Sequence, residues 1–114
     1  MSYKCSEIDD GTVVHVPIDR LDAAAAVEFR DDVRAAAGEG QGRVVLDVSS
    51  IKFMDSSGLG AVVSAWKMFG PERPLEIANP TELVSRVLEL TRMNSVITIH
   101  QSFPGLLAGT ADAE

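Results

Sequence analysis

Alternating apolar and polar residues predict that the chain opens with a β-hairpin. Residues 3–8 and 12–18 are rich in strand-forming residues, and Asp9-Asp10-Gly11 between them suits a turn because its glycine tolerates a positive φ. Pro17 lacks an N–H to donate to a neighbouring strand, which places the end of the second strand at an edge or a bulge.

Helical spacing of apolar residues predicts three main helices. The first covers residues 23–37, with Asp22 as its N-terminal cap and Gly38 as its stop. The second covers residues 56–69 and ends at Gly70-Pro71. The third begins at Asn79-Pro80-Thr81-Glu82, which offers Asn79 as the capping residue, a proline at the first helical position and an acid at N3.

Short apolar runs between these helices predict strands. Residues 43–48 are apolar and β-branched enough for a buried central strand, and residues 75–78 and 96–99 predict two more. A last short helix is expected over residues 102–107, before a frayed tail at about 109–114. Interleaved strands and helices indicate an α/β fold with some parallel pairing. The positions expected to be buried are Leu46, Val48, Leu59, Val63, Val84, Val87 and Ile97.

Composition and charge narrow the function classes. With 114 residues, 46% of them hydrophobic, the chain is expected to fold as one domain over residues 1–114. A formal net charge of −7 repels phosphate backbones, so we expect no direct nucleic-acid partner. The lone Cys5 excludes an internal disulfide and favours a reducing cytosol. The N-terminus has no apolar signal core and no stretch is long enough to span a bilayer, so we expect a cytoplasmic protein without membrane insertion.

Residues 53–60, Phe-Met-Asp-Ser-Ser-Gly-Leu-Gly, form a junction between a predicted strand and a predicted helix. A structural role alone can explain the spacing of these residues, because Asp55 or Ser56 can cap the helix and the glycines allow close packing. A functional interpretation is compatible with it, since a serine hydroxyl on a rigid junction is accessible to a kinase or a partner. Phosphate binding is disfavoured, because the P-loop lysine and the dinucleotide-binding glycine spacing are both missing.

Together with Val44-Val45-Leu46-Asp47-Val48, this junction resembles the hallmark of STAS domains of the anti-sigma-factor-antagonist type. The resemblance implies a single domain whose mixed β-sheet carries its helices mainly on one face. It also implies a partner switch: the unphosphorylated protein binds an anti-sigma factor that is a serine kinase and so releases a sigma factor. Phosphorylation by that kinase ends the binding, and a serine phosphatase restores it.

The resemblance also assigns residue roles. The phosphorylated serine falls on Ser56, and Asp55, Ser57 and Gly58 match the surrounding motif. The family's acid after the second strand falls on Asp22, and with the motif residues it completes the expected partner-binding set. Asp19 departs from the glycine common before that acid, and residues 91–93 depart from the family's Ser-Gly-Leu. No catalytic, cofactor-binding or metal-binding residue is implied, and the protein is expected not to be an enzyme.

Two alternatives remain open at this point. One is a stand-alone STAS accessory subunit of a membrane transport complex. The other is a small hydrolase with Ser56 as its nucleophile, which lacks a convincing base and the nucleophile-elbow spacing. His15 and His100 are interpreted as core or surface histidines because each lies in or beside an apolar strand.

Overall fold

The computed structural model describes residues 3–103. Its strands are β1 (Lys4–Ile8), β2 (Gly11–His15), β3 (Arg20–Leu21), β4 (Arg43–Asp47), β5 (Phe53–Met54), β6 (Leu75–Ala78) and β7 (Ile99–His100). Its helices are α1 (Ala23–Ala37), α2 (Ser56–Met68) and α3 (Glu82–Leu90), followed by a 3-10 turn at Met93–Ser95.

The main sheet has five strands in the order β1-β2-β4-β6-β7. Strand β1 pairs antiparallel with β2, and the remaining neighbours are parallel. Parallel neighbours need a crossover connection, which α1, α2 and α3 supply in turn. The predicted α/β fold with a mixed sheet is therefore confirmed.

The helices cover one face of this sheet. Their buried side chains, such as Phe29, Val62 and Leu88, belong to one large cluster with Val14 and Leu46 of the sheet. A small second cluster on the other face is built from Val13, Val45 and Ala78, with Ile8 and Phe103 packed against it. Strand β4 is buried on both faces, which accounts for its nearly continuous apolar sequence.

The expected core positions are partly confirmed. Leu46, Val48, Val84 and Ile97 are buried, whereas Leu59, Val63 and Val87 are half-buried. In α2 the most buried positions are held mainly by small residues, namely Gly58, Ala61, Val62 and Ala65. The helix therefore lies close to the sheet, and its larger side chains Leu59, Trp66 and Met68 are partly buried against the core.

Two predicted strands have different bounds. The second ends at His15, and Pro17 lies in the following loop rather than at an edge or bulge of the strand, because β2 is an interior strand that needs its N–H donors. The last strand is Ile99–His100 instead of residues 96–99. The N–H groups of Val96 and Ile97 both donate to the Met93 carbonyl, so they belong to the preceding turn rather than to a sheet ladder.

The predicted cap of the third helix is wrong by two residues. Thr81 is the capping residue: its hydroxyl oxygen accepts from the Val84 N–H at 3.4 Å and its hydroxyl donates to the Ile51 carbonyl at 2.7 Å. Asn79 instead adopts a left-handed φ of 56°, and Pro80 precedes the cap. Of the helix expected over 102–107, residues 102 and 103 are not helical; its remainder and the tail at 109–114 lie outside the described residues.

Substitution of a core leucine tests this packing. Leu46 in β4 is fully buried, whereas Leu90 at the end of α3 is 77% exposed. Leu46→Ala is expected to lower the free energy of unfolding by about 2–5 kcal/mol, because it removes buried apolar contacts and leaves a cavity. Leu90→Ala, the matched control, should change it by less than about 0.5 kcal/mol. Urea unfolding measures both, and equal losses would contradict the arrangement.

Candidate functional site

A second, two-stranded sheet brings two helix starts together. Strands β3 and β5 pair in parallel, with Arg20 opposite Phe53 and Leu21 opposite Met54. Leu21 and Met54 are buried, and each is followed directly by an aspartate and then a helix. Asp22 and Asp55 therefore lie side by side at the same end of this pair.

Each aspartate caps its own helix. An Asp22 carboxylate oxygen accepts a hydrogen bond from the Ala25 N–H at 3.1 Å, and an Asp55 oxygen accepts one from the Gly58 N–H at 2.9 Å. Both bonds satisfy an N–H group that the first helical turn leaves free. The positive ends of two helix dipoles consequently meet at one surface.

Gly58 lets α2 begin directly against β3. A Cβ atom at this position would lie 2.0 Å from the Leu21 carbonyl oxygen, far inside van der Waals contact. The same carbonyl accepts a hydrogen bond from the Asp55 N–H at 3.4 Å. Gly60, two residues later, meets nothing within 4 Å. The motif thus contains one glycine that the packing requires and one that it does not.

The two serines of the motif are exposed at the start of α2. Ser56 is the first helical residue, and Ser57 lines a groove of about 290 Å³ between α1 and α2. Val27 of α1 also lines the groove and is 79% exposed, a high value for an apolar side chain. The remaining lining residues are Ala26, Arg30, Asp31, Gly60, Ala61 and Ser64. An open face therefore adjoins the two aspartates.

Arg20 is a member of the site that sequence reasoning did not single out. Its Nε lies 3.6 Å from an Asp22 oxygen, and its guanidinium lies 4.2 Å from the centre of the Phe53 ring. The hydrogen bond from the Ala25 N–H, followed by the charge of Arg20, holds the pKa of Asp22 below its ordinary value. A signal was present in the sequence: Arg20 and Phe53 each precede an apolar residue and an aspartate.

The histidines are engaged elsewhere. His15 Nδ1 lies 3.1 Å from an Asp47 carboxylate oxygen, and His100 Nε2 lies 2.8 Å from a Glu76 carboxylate oxygen. These four residues lie on strands of the main sheet and not at the start of α2. Within residues 3–103, no group of three or more His, Cys, Asp or Glu side chains could hold a metal ion. In the same residues no helix is long and apolar enough to cross a membrane.

Comparisons with known proteins agree with this fold. The family model of the STAS domain matches residues 3–104. An anti-sigma factor antagonist from Mycobacterium paratuberculosis aligns with a TM-score of 0.77 and 18% identity, over 95% of this chain and 92% of its own. The phosphorylated Bacillus cell fate determinant SpoIIAA aligns with a TM-score of 0.57 and 18% identity, over 86% of this chain and 90% of the SpoIIAA chain. The murine anion transporter Slc26a9 aligns with a TM-score of 0.72 and 19% identity, over 96% of this chain and 19% of its own.

The two glycines of the motif give a matched test of the close approach. Gly58→Ala should lower the free energy of unfolding by about 1–3 kcal/mol, because the new Cβ must push α2 away from Leu21. Gly60→Ala, in open space, should raise it by roughly 0.5–1 kcal/mol, because alanine favours the helix. Thermal unfolding measures both, and a neutral or stabilising Gly58→Ala would contradict the geometry.

The lowered pKa of Asp22 predicts a pH dependence. A carboxylate with a lowered pKa in the folded state stabilises the fold above its ordinary pKa, and this contribution is lost as the pH falls through the lowered value. The difference in stability between the parent and Asp22→Asn should therefore be largest near neutral pH and vanish in acid. Denaturant unfolding across pH measures it, and a constant difference would exclude the carboxylate charge as its source.

Proposed function

The chain belongs to the STAS domain family, and we propose that it is an anti-sigma-factor antagonist. In this role the unphosphorylated protein binds an anti-sigma factor that is a serine kinase and so frees a sigma factor. Phosphorylation of Ser56 ends the binding, and a serine phosphatase restores it. The domain acts in the cytoplasm as a binding module without catalysing a reaction. The observation that carries the proposal is the exposed Ser56 at the capped start of α2, next to the capped start of α1.

The fold can accept a phosphate at Ser56. The side chain is exposed and belongs to the first residue of α2. A phosphate carries about −1.5 to −2 charges at pH 7, and at this position it meets free N–H groups and the positive end of the helix dipole. Modification should therefore leave the core packing unchanged.

The phosphate should instead weaken the binding of the partner. Asp55 directly precedes Ser56, and the pairing of β3 with β5 brings Asp22 to the same end of the two strands. A partner that binds these two carboxylates offers a limited number of cationic groups. The added phosphate must be desolvated, repels the carboxylates and occupies space. A penalty of roughly 2–4 kcal/mol is reasonable for this mismatch, and it corresponds to roughly 30- to 1000-fold weaker binding.

The comparisons support this proposal and also one alternative. Proteins of similar fold include anti-sigma factor antagonists, and one of them, SpoIIAA, has been solved in a phosphorylated and an unphosphorylated form. The likeness to part of the anion transporter Slc26a9 favours a stand-alone accessory subunit of a membrane transport complex. The two functions differ in their partners, which the following experiment distinguishes.

Variants of Ser56 should separate partner binding from modification. Ser56→Ala should retain an anti-sigma kinase from the protein's own cells, because the small side chain preserves the interface. Ser56→Asp should retain at least roughly 30-fold less kinase than the parent, because the aspartate adds negative charge to the partner-binding surface. The same substitutions at Ser95, an exposed serine in the 3-10 turn after α3 that lies outside the groove, are the matched controls and should bind like the parent. Quantitative mass spectrometry of affinity-purified complexes measures the retention.

Incubation of the parent protein with the purified kinase and ATP then identifies the serine that accepts the phosphate. Phosphate mapped to Ser56, with weaker binding of the modified form in a titration, is the expected result. Phosphate on Ser57, or equal affinity of both forms, would overturn the assignment. Retention of transporter subunits in place of a kinase would favour the accessory role.

A further inference from the structure

A row of polar side chains crosses the sheet face opposite the helices. Lys4 pairs with His15 across β1 and β2, and His15 pairs with Asp47 across β2 and β4. Directly paired residues share a face of the sheet, and Ser6, two residues after Lys4 on β1, shares it as well. Val14 and Leu46, the chain neighbours of His15 and Asp47, belong to the core cluster under the helices. The row therefore lies on the other face.

Three of these residues form a continuous hydrogen-bonded chain. His15 Nδ1 lies 3.1 Å from an Asp47 oxygen, and His15 Nε2 lies 3.0 Å from the Ser6 Oγ. The second Asp47 oxygen accepts a hydrogen bond from the Ser49 N–H at 3.0 Å, which holds the carboxylate in place. A carboxylate accepts hydrogen bonds, so a neutral imidazole carries its proton on Nδ1. Its Nε2 is then free to accept the proton of the Ser6 hydroxyl.

The order Ser6–His15–Asp47 matches the arrangement in which a base activates a nucleophilic serine. The nucleophile is bonded to the base, and the base is oriented by a third group. The His15 and Asp47 side chains are 22% and 11% exposed, so the pair is largely protected from water, while Ser6 is half-buried. Strand β1 is the outermost strand of the described sheet, which leaves Ser6 open to a reagent from that side.

We propose that Ser6 is a nucleophilic serine that accepts an acyl group from small, uncharged activated esters or thioesters. The net charge of −7 and the adjacent Glu7 disfavour anionic donors, so a neutral acyl donor fits best. Lys4, which shares the face and pairs with His15, adds positive charge near the carbonyl oxygen that becomes negative during the attack. The site involves none of the residues around Ser56, so it is independent of the proposed switch.

The step is a simple acyl transfer. Ser6 Oγ forms a bond to the carbonyl carbon while its proton moves to His15 Nε2. The bond from that carbon to the alkoxide or thiolate then breaks, and the leaving group takes the proton from His15. The imidazole returns to its neutral form, and Ser6 holds the acyl group as an ester.

Acetylation by p-nitrophenyl acetate tests the proposal directly. The exposed thiol of Cys5 is adjacent to Ser6 and reacts with the same ester, so the Cys5→Ala protein serves as the parent. Intact-mass measurement over time, with peptide mapping of the acetyl group, gives the rate at each residue. We expect acetylation of Ser6 at least 10-fold faster than of Ser64, an exposed serine that lies on α2, away from the row. The two serines are compared within the same Cys5→Ala protein, so this measurement needs no further variant.

Substitution of the base supplies the second measurement. His15→Gln should slow acetylation of Ser6 by about 100-fold or more, because general base catalysis contributes about that much. His100→Gln, at a histidine on β7 that contacts Glu76 and not Ser6, should leave the rate unchanged, and the melting temperature of each variant reports whether it is folded. An acetyl group found on Lys4 but not on Ser6, equal rates at Ser6 and Ser64, or an unchanged rate at Ser6 in a folded His15→Gln protein would each overturn the proposal.

Discussion

The close approach of Gly58 to the Leu21 carbonyl is the contact on which the candidate site depends. A Cβ atom at residue 58 would lie 2.0 Å from that oxygen, so the start of α2 can sit against β3 because glycine has no side chain. This contact lets β3 and β5 pair, and the pairing sets Asp22 beside Asp55. A short parallel pair outside the main sheet thus positions the start of both α1 and α2.

The positions of the helix starts account for the chemistry of the surface. Two carboxylates that cap helices are held by backbone N–H groups, and Arg20 compensates part of their charge. The neighbouring serine is exposed and lies where the dipole of α2 favours a negative group. In the proposed function, this surface binds a cationic partner in one state and rejects it in the other without any change in the core. The sheet supplies a rigid support on which this change remains local.

Much of the fold follows from local sequence signals. The bounds of α1, its capping aspartate and the buried strand β4 agree with the periodicity and the capping residues. Strands β3 and β5 were missed because two residues are too few to show a period. Asn79 and Thr81 are both good capping residues, and the left-handed backbone at Asn79 decided between them. The motif residues around Ser56 were predicted from resemblance, but their contact with Leu21 follows from chain topology. Ser6, His15 and Asp47 come from three strands, so their juxtaposition has no local signal.

In the proposed switch, Ser56 lies on a surface that a phosphate alters while the fold stays unchanged. Amide chemical shifts of isotopically labelled protein, prepared with serine or with phosphoserine at position 56, test it most directly. We expect shift changes confined to the starts of α1 and α2, around Asp22 and residues 55–59, with the amides of β2, β4 and β6 unmoved. Changes spread through those central strands would show that the phosphate acts by rearranging the fold, and would contradict the proposed switch.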